Sequence, residues 1–161
     1  MKKIVFVFLL FIPSLCFAQF LGLGGQWTAK KYQFTVISST PYKVILDNDN
    51  PIALAIGSGL EYTTSGPKIS GLYVKPISFW ALTNNMENKN TFALKLDAGY
   101  NRNLTHGNNG FILSPNLYAD WSIFYMSAGY DWNMSHKEGQ FYIRFGVGVT
   151  LGFFKGLANN R

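Results

Sequence analysis

The chain has 161 residues, room for one domain with a real core and little more. Charged residues make up 14%, well below the roughly 25% of soluble domains, while aromatics reach 17% and glycines number 16. A net charge of +6 is modest, and Lys30-Lys31 is the only basic pair after Lys2-Lys3, so a nucleic-acid partner is excluded and that pair reads as a solvated strand end.

Lys2 and Lys3 precede an unbroken apolar run, Ile4 to Ile12, closed by Pro13. That run is too short for a membrane helix, which needs about 20 residues. With Cys16-Phe17-Ala18 ending on a small residue before Gln19, residues 1–18 read as a cleavable signal peptide and 19–161 as the exported domain. Cleavage lowers the net charge by two, to +4, and removes the only cysteine. Disulfides, a thiol nucleophile and cysteine-ligated metal are then excluded. Lipidation of Cys16 is disfavoured because Leu15 stands where lipoprotein signals want a small residue.

The first β-segment is read at Lys31 to Val36, where Tyr32, Phe34 and Val36 alternate with Lys31, Gln33 and Thr35. Ser38-Ser39-Thr40-Pro41 reads as a break, and Tyr42, Val44 and Leu46 as a second segment. The third, Ile52 to Thr63, puts Ile52, Leu54, Ile56, Leu60 and Tyr62 on one face and Ala53, Ala55, Gly57, Gly59 and Glu61 on the other. Ser70 to Leu82 is β-rich, but its alternation falters at Pro76, which suggests a bulge.

The remaining four are clearer. Phe92, Leu94, Leu96, Ala98 and Tyr100 oppose Ala93, Lys95, Asp97, Gly99 and Asn101; Phe111 to Trp121 alternates with Pro115 on the apolar face. A very tight turn at Asp120 to Ile123 leads into Phe124, Met126, Ala128, Tyr130 and Trp132, opposed by Tyr125, Ser127, Gly129, Asp131 and Asn133. The last segment sets Phe141, Ile143, Phe145, Val147, Val149, Leu151 and Phe153 against Tyr142, Arg144 and three glycines. Turn clusters at Asp47 to Pro51, Ser65-Gly66-Pro67, Thr105 to Gly110 and Ser135 to Gly139 separate the segments. The count is eight strands, and segments of about ten residues suit tilted strands that cross a bilayer.

Alternation alone also fits a soluble barrel that holds a hydrophobic ligand inside. The second face decides, because it is rich in Gly, Ala, Ser and Asn with isolated charges, which suits the cramped lumen of an eight-stranded barrel better than a wet surface. Aromatics add to this: Tyr62, Tyr100, Tyr130 and Trp132 fall at one rim, and Phe92, Trp121, Phe124 and Phe153 at the other, as membrane-interface girdles do. The expected fold is all-β: an antiparallel up-and-down transmembrane β-barrel in a bacterial outer membrane. On the alternating faces and aromatic rims, and not on a diagnostic motif, the mature chain resembles the small outer-membrane β-barrel family of the OmpA and OmpX kind. Within that resemblance Arg144, Gly146, Val149 and Leu151 of the last segment look like the polar-x-Gly-x-x-apolar-x-apolar signal by which assembly machinery recognises such barrels. The resemblance implies outer-membrane lipid as surroundings and the assembly machinery as a partner during biogenesis. It departs from the family at its end, where Lys155 to Arg161 follow the final aromatic.

Lys31, Glu61, Lys95, Asp97, Asp120, Asp131 and Arg144 fall on the lumen face and are expected to pair across it as a plug or to line a narrow pore. Asp131 and Arg144, on neighbouring strands, are expected to pair with each other. A lipid-modifying enzyme would have to use His106, Ser135, His136 and Glu138, but Ser135 and His136 are adjacent and point to opposite sides of a strand. No catalytic residue and no cofactor is therefore expected. Short loops and a filled lumen leave a structural or envelope-maintenance role.

Overall fold

A single strand leaves its backbone N–H and C=O groups unpaired, and in this chain the strands pair until the sheet closes on itself. A computed structural model describes residues 20–28, 31–45 (side chains to 42), 51–64, 66, 68–83, 90–104 and 108–150. Its strands are β1 (Phe20–Thr28), β2 (Lys31–Ile45), β3 (Ile52–Thr63), β4 (Gly71–Thr83), β5 (Asn90–Arg102), β6 (Gly110–Trp121), β7 (Phe124–Asn133) and β8 (Glu138–Val149). Each pairs antiparallel with the next, and β1 pairs with β8, giving a closed eight-stranded up-and-down barrel. The expected signal segment 1–18, Phe153, His106 and the tail 155–161 lie outside the described residues.

The strand count is right through two errors that cancel. Residues 31–45 form one strand, not two: Ser38, Ser39 and Thr40 pair regularly with Leu60, Gly59 and Ser58, and the chain absorbs Pro41 as a register shift before Lys43. A proline lacks only one ladder donor, and a bulge accommodates that loss. The strand left unread is β1, where Leu23, Gly25 and Trp27 face out while Gly22, Gln26 and Thr28 are buried. Three glycines in nine residues dilute its alternation. The tight turn at residues 122–123 is as read, with Ser122 at φ 57° and Trp121 opposite Phe124.

The barrel turns its large apolar side chains outward and its polar ones inward. Leu54, Phe79, Leu94, Leu117, Phe124 and Phe145 are among many large apolar side chains exposed on the outer face. Among the described residues, buried polar and charged side chains outnumber buried hydrophobic ones by about two to one. The expected girdle residues Tyr100, Tyr130 and Trp132 at one rim and Phe92, Trp121 and Phe124 at the other are exposed on this outer face, while Tyr62 is half-buried. Trp27 and Tyr32 join the rim that holds Tyr100.

Small apolar clusters cap the interior at both ends. At the end holding the β6–β7 turn, Phe20 meets Tyr118 and Tyr125 edge-on, ring centroids 5.4 and 5.2 Å away, with Ile37 and Ala93 alongside. At the other end Ile69, from the β3–β4 connection, packs with Tyr73 and Ile112. Gln140 holds Ile69 there, accepting from its N–H (3.4 Å) and donating to its carbonyl (3.3 Å).

Where the barrel closes, Gly22 and Gly24 of β1 lie opposite Gly148 and Gly146 of β8. The ring of Tyr125 covers this strip: a Cβ at Gly22 would come within 2.6 Å of it, and one at Gly146 within 2.5 Å. Glycine is required there for close approach, and closure and ring packing depend on each other.

Candidate functional site: the charged layer of the lumen

Between the two apolar caps lies a chain of five charges that alternate in sign: Lys95, Asp97, Lys75, Glu61 and Arg144. Strand register assembles it. Gly59 lies opposite Lys75, which sets the ammonium beside Glu61 two residues along β3, and Asp97 lies opposite Ser78 across the next ladder. Arg144, opposite Gln26 on β1, reaches across the lumen to Glu61 on β3.

Lys75 is the hub. Its Nζ donates to Glu61 Oε2 at 2.8 Å and to Asp97 Oδ2 at 2.9 Å. Arg144 forks onto both oxygens of Glu61 and also donates through Nε to Gln26 Oε1 at 3.1 Å, and Gln26 donates to Gln33. Asp97 further accepts from Ser78 and from Asn116 (3.3 Å), with Lys95 Nζ at 3.9 Å. Each cation also lies over a ring: Lys75 on Tyr73 at 4.8 Å, Lys95 on Trp80 at 4.5 Å and Arg144 on Tyr142 at 4.8 Å. Carboxylate on one side and aromatic face on the other replace the water these groups lose on burial.

Of the seven lumen residues expected from the sequence, Glu61, Lys95, Asp97 and Arg144 come together in this layer. Asp120 is buried apart from it, accepting from Tyr118 Oη at 3.1 Å near the aromatic cap. Lys31 keeps the inward parity of Gln33 and Thr35 but stands exposed at the start of β2, beside the turn. The expected Asp131–Arg144 ion pair is not formed. Asp131 lies opposite Gln140 and Arg144 opposite Ser127, four residues apart on β7, roughly 13 Å at about 3.3 Å per residue. The expectation centred the turn on Ser135 to Gly139; the turn is Met134 to Lys137, with Lys137 at φ 53°, and Gly139 already pairs with Trp132.

Lys75, Gln26 and Tyr73 were not anticipated. Inward positions in β4 run Gly71, Tyr73, Lys75 and then Ser78, Trp80, because Pro76 and Ile77 are both outside and shift the parity by one. The faltering alternation at Pro76 was the signal, read one step short. Gln26 belongs to the unread β1.

Of the residues considered for catalysis, Ser135 and His136 hold the β7–β8 turn in place. Ser135 Oγ accepts from the Phe111 N–H at 3.1 Å, and the His136 ring lies 2.9 Å from the Asn109 carbonyl, which ties the β7–β8 turn to the start of β6 and to the β5–β6 connection. Comparison of the chain with protein-family models, with curated proteins and with solved structures finds no match to any of them.

Proposed function

We propose that this chain is an integral outer-membrane β-barrel protein, of the small OmpA and OmpX kind, with a structural or envelope-maintenance role and a lumen plugged by its own ion pairs. The single observation that carries the reading is the polarity of the barrel: a largely apolar outer belt around a charged, hydrogen-bonded interior. In hydrocarbon every backbone polar group needs an internal partner, and a closed barrel supplies one without leaving an edge. Strands of 9 to 15 residues are long enough to cross at a tilt. On this reading residues 1–18 direct export, the assembly machinery meets the chain through β8, and outer-membrane lipid surrounds the belt.

The plug, in preference to a wide pore, is supported by the alternating charges and the two apolar caps. A barrel that stores a hydrophobic ligand would need an apolar interior, whereas here the inward faces carry the charges. Purification decides the location: the protein is expected to require detergent and to migrate differently on gels before and after boiling. A detergent-free soluble monomer whose mobility ignores boiling would overturn the proposal. Planar-bilayer recordings decide the plug, since large, stable, open conductance is incompatible with it.

A further inference from the structure

We propose that the outer wall of β2–β4 carries a binding site for an acyl chain bearing a hydroxyl or ester oxygen. The inference rests on the membrane reading above. Three consecutive ladders break register in one neighbourhood: β2–β3 between Pro41 and Lys43, β3–β4 between Gly57 and Gly59, and β4–β5 between Val74 and Ile77. Pro41 lies directly opposite Gly57, so the first two breaks meet. The other five ladders run without a shift. Bulges bend and twist a strand, and when they lie side by side they deform the wall locally.

The deformation holds a recess of about 370 Å³ on the outer surface, lined in part by Leu60, Leu72 and Val74 and in part by Ser38, Tyr42 and Ser58. Away from the tyrosines at the rims, hydroxyls are foreign to this face, which there presents mainly Leu, Ile, Phe and Val. Ser38 is the telling one. It points outward, between Ile37 and Ser39 that point in, yet it is only 3% exposed, set between Leu21 and Leu60. Its hydroxyl has no hydrogen-bond partner among the described residues. The Tyr42 hydroxyl is hydrogen-bonded to Ser58 Oγ, and this pair lines the recess beside Ser38.

Ser38 and Ser58 sit near the middle of β2 and β3, where the surroundings on the membrane reading are hydrocarbon. An unpaired hydroxyl is costly there and recruits an oxygen. A charged headgroup does not fit. The only cation in the lining, Lys75, turns its ammonium inward to Glu61 and Asp97. An apolar chain with one neutral oxygen matches both the aliphatic and the hydroxyl side of the recess.

The test uses the full-length mature protein in detergent micelles and two photoreactive probes: a diazirine-bearing methyl ester of a 14-carbon fatty acid with a 3-hydroxyl, and the same ester without it. Label mapped by mass spectrometry should concentrate on residues 58–60 and 72–76. The hydroxylated probe should exceed the plain one by roughly three- to tenfold, the worth of about one net hydrogen bond. Ser38→Ala with Ser58→Ala should remove that preference, and Ser38→Leu, which fills the recess, should remove the concentration of label; heat-dependent gel mobility checks that each variant is folded. Label spread evenly around the belt, through Leu117 and Phe141 alike, or an equal response to both probes, sinks the site while leaving the membrane barrel standing. A protein that needs no detergent sinks the membrane reading, and the site falls with it.

Discussion

Replacing Lys75 by methionine keeps most of the volume of the stem and deletes the central charge of the lumen chain. Two buried carboxylates lose their shared partner at 2.8 and 2.9 Å. Stranding one member of a buried pair costs roughly 3–5 kcal/mol. Here part of the loss is covered, because Glu61 keeps the Arg144 fork and Asp97 keeps Ser78, Asn116 and Lys95 at 3.9 Å. The lower end of the range, about 3 kcal/mol, is therefore expected. Asp97→Asn should cost less, about 1–3 kcal/mol, since Lys75 retains Glu61. The double variant removes both charges of the pair and leaves Glu61 with Arg144. Its loss should fall short of the summed single losses by at least about 1 kcal/mol, within the coupling range of contacting residues. Urea unfolding in micelles, followed by tryptophan fluorescence on all four proteins, measures this cycle. Losses that add to within about 0.5 kcal/mol would refute the hub assignment.

Arg144→Met should couple with Glu61→Gln but be additive, to within about 0.5 kcal/mol, with Asp131→Asn, a contrast the same unfolding cycle reads directly. Leu117→Arg, at a belt position 63% exposed, should cost about 2–4 kcal/mol in a bilayer, whereas the same change on a wet surface stays within about 0.5 kcal/mol; folding into lipid vesicles distinguishes the two. Ser122→Gly should gain up to about 1 kcal/mol, seen as a higher urea midpoint, because the roughly 1–2 kcal/mol cost of a side chain at positive φ outweighs the roughly 0.5–1 kcal/mol of extra freedom glycine loses on folding. Backbone amides along the glycine-lined β1–β8 ladder should exchange with deuterium faster than those of the β5–β6 ladder, as mass spectrometry of the folded protein would show.

Strand faces were legible wherever large and small residues alternate without interruption. Glu61, Lys95, Asp97 and Arg144 were assigned to the interior by parity alone, and each is buried there. Parity does not survive a bulge, which is why Lys75 stayed hidden behind Pro76 and Ile77. Nor does it fix depth. Which charge meets which depends on where a turn begins, and a two-residue shift in the β7–β8 turn is enough to exchange Asp131 for Glu61 as the partner of Arg144. That partner lies on β3, across the lumen, and only closure of the barrel brings β3 and β8 face to face. The β1 segment was missed because glycine carries no side chain to mark a face, though Leu23 and Trp27 keep the rhythm.

The glycine strip at the closing ladder bears on how the native state is reached and lost. Seven of the eight ladders join strands that follow one another in sequence, whereas the eighth pairs Leu21 with Val149 from opposite ends of the barrel. Loop-closure entropy makes that pairing the slowest to form, and glycine, which gives up most backbone freedom on ordering, makes it the least rewarded per residue. Before it forms, the chain is a curled sheet with two free edges, each a template for another chain. Tyr125 stands on β7, already zipped to β8, so its ring can wait over Gly146 as one half of a mould that Gly22 and Gly24 complete. The kinetic lifetime of the barrel is thus governed at a single seam, far in character from the charges that fill its centre.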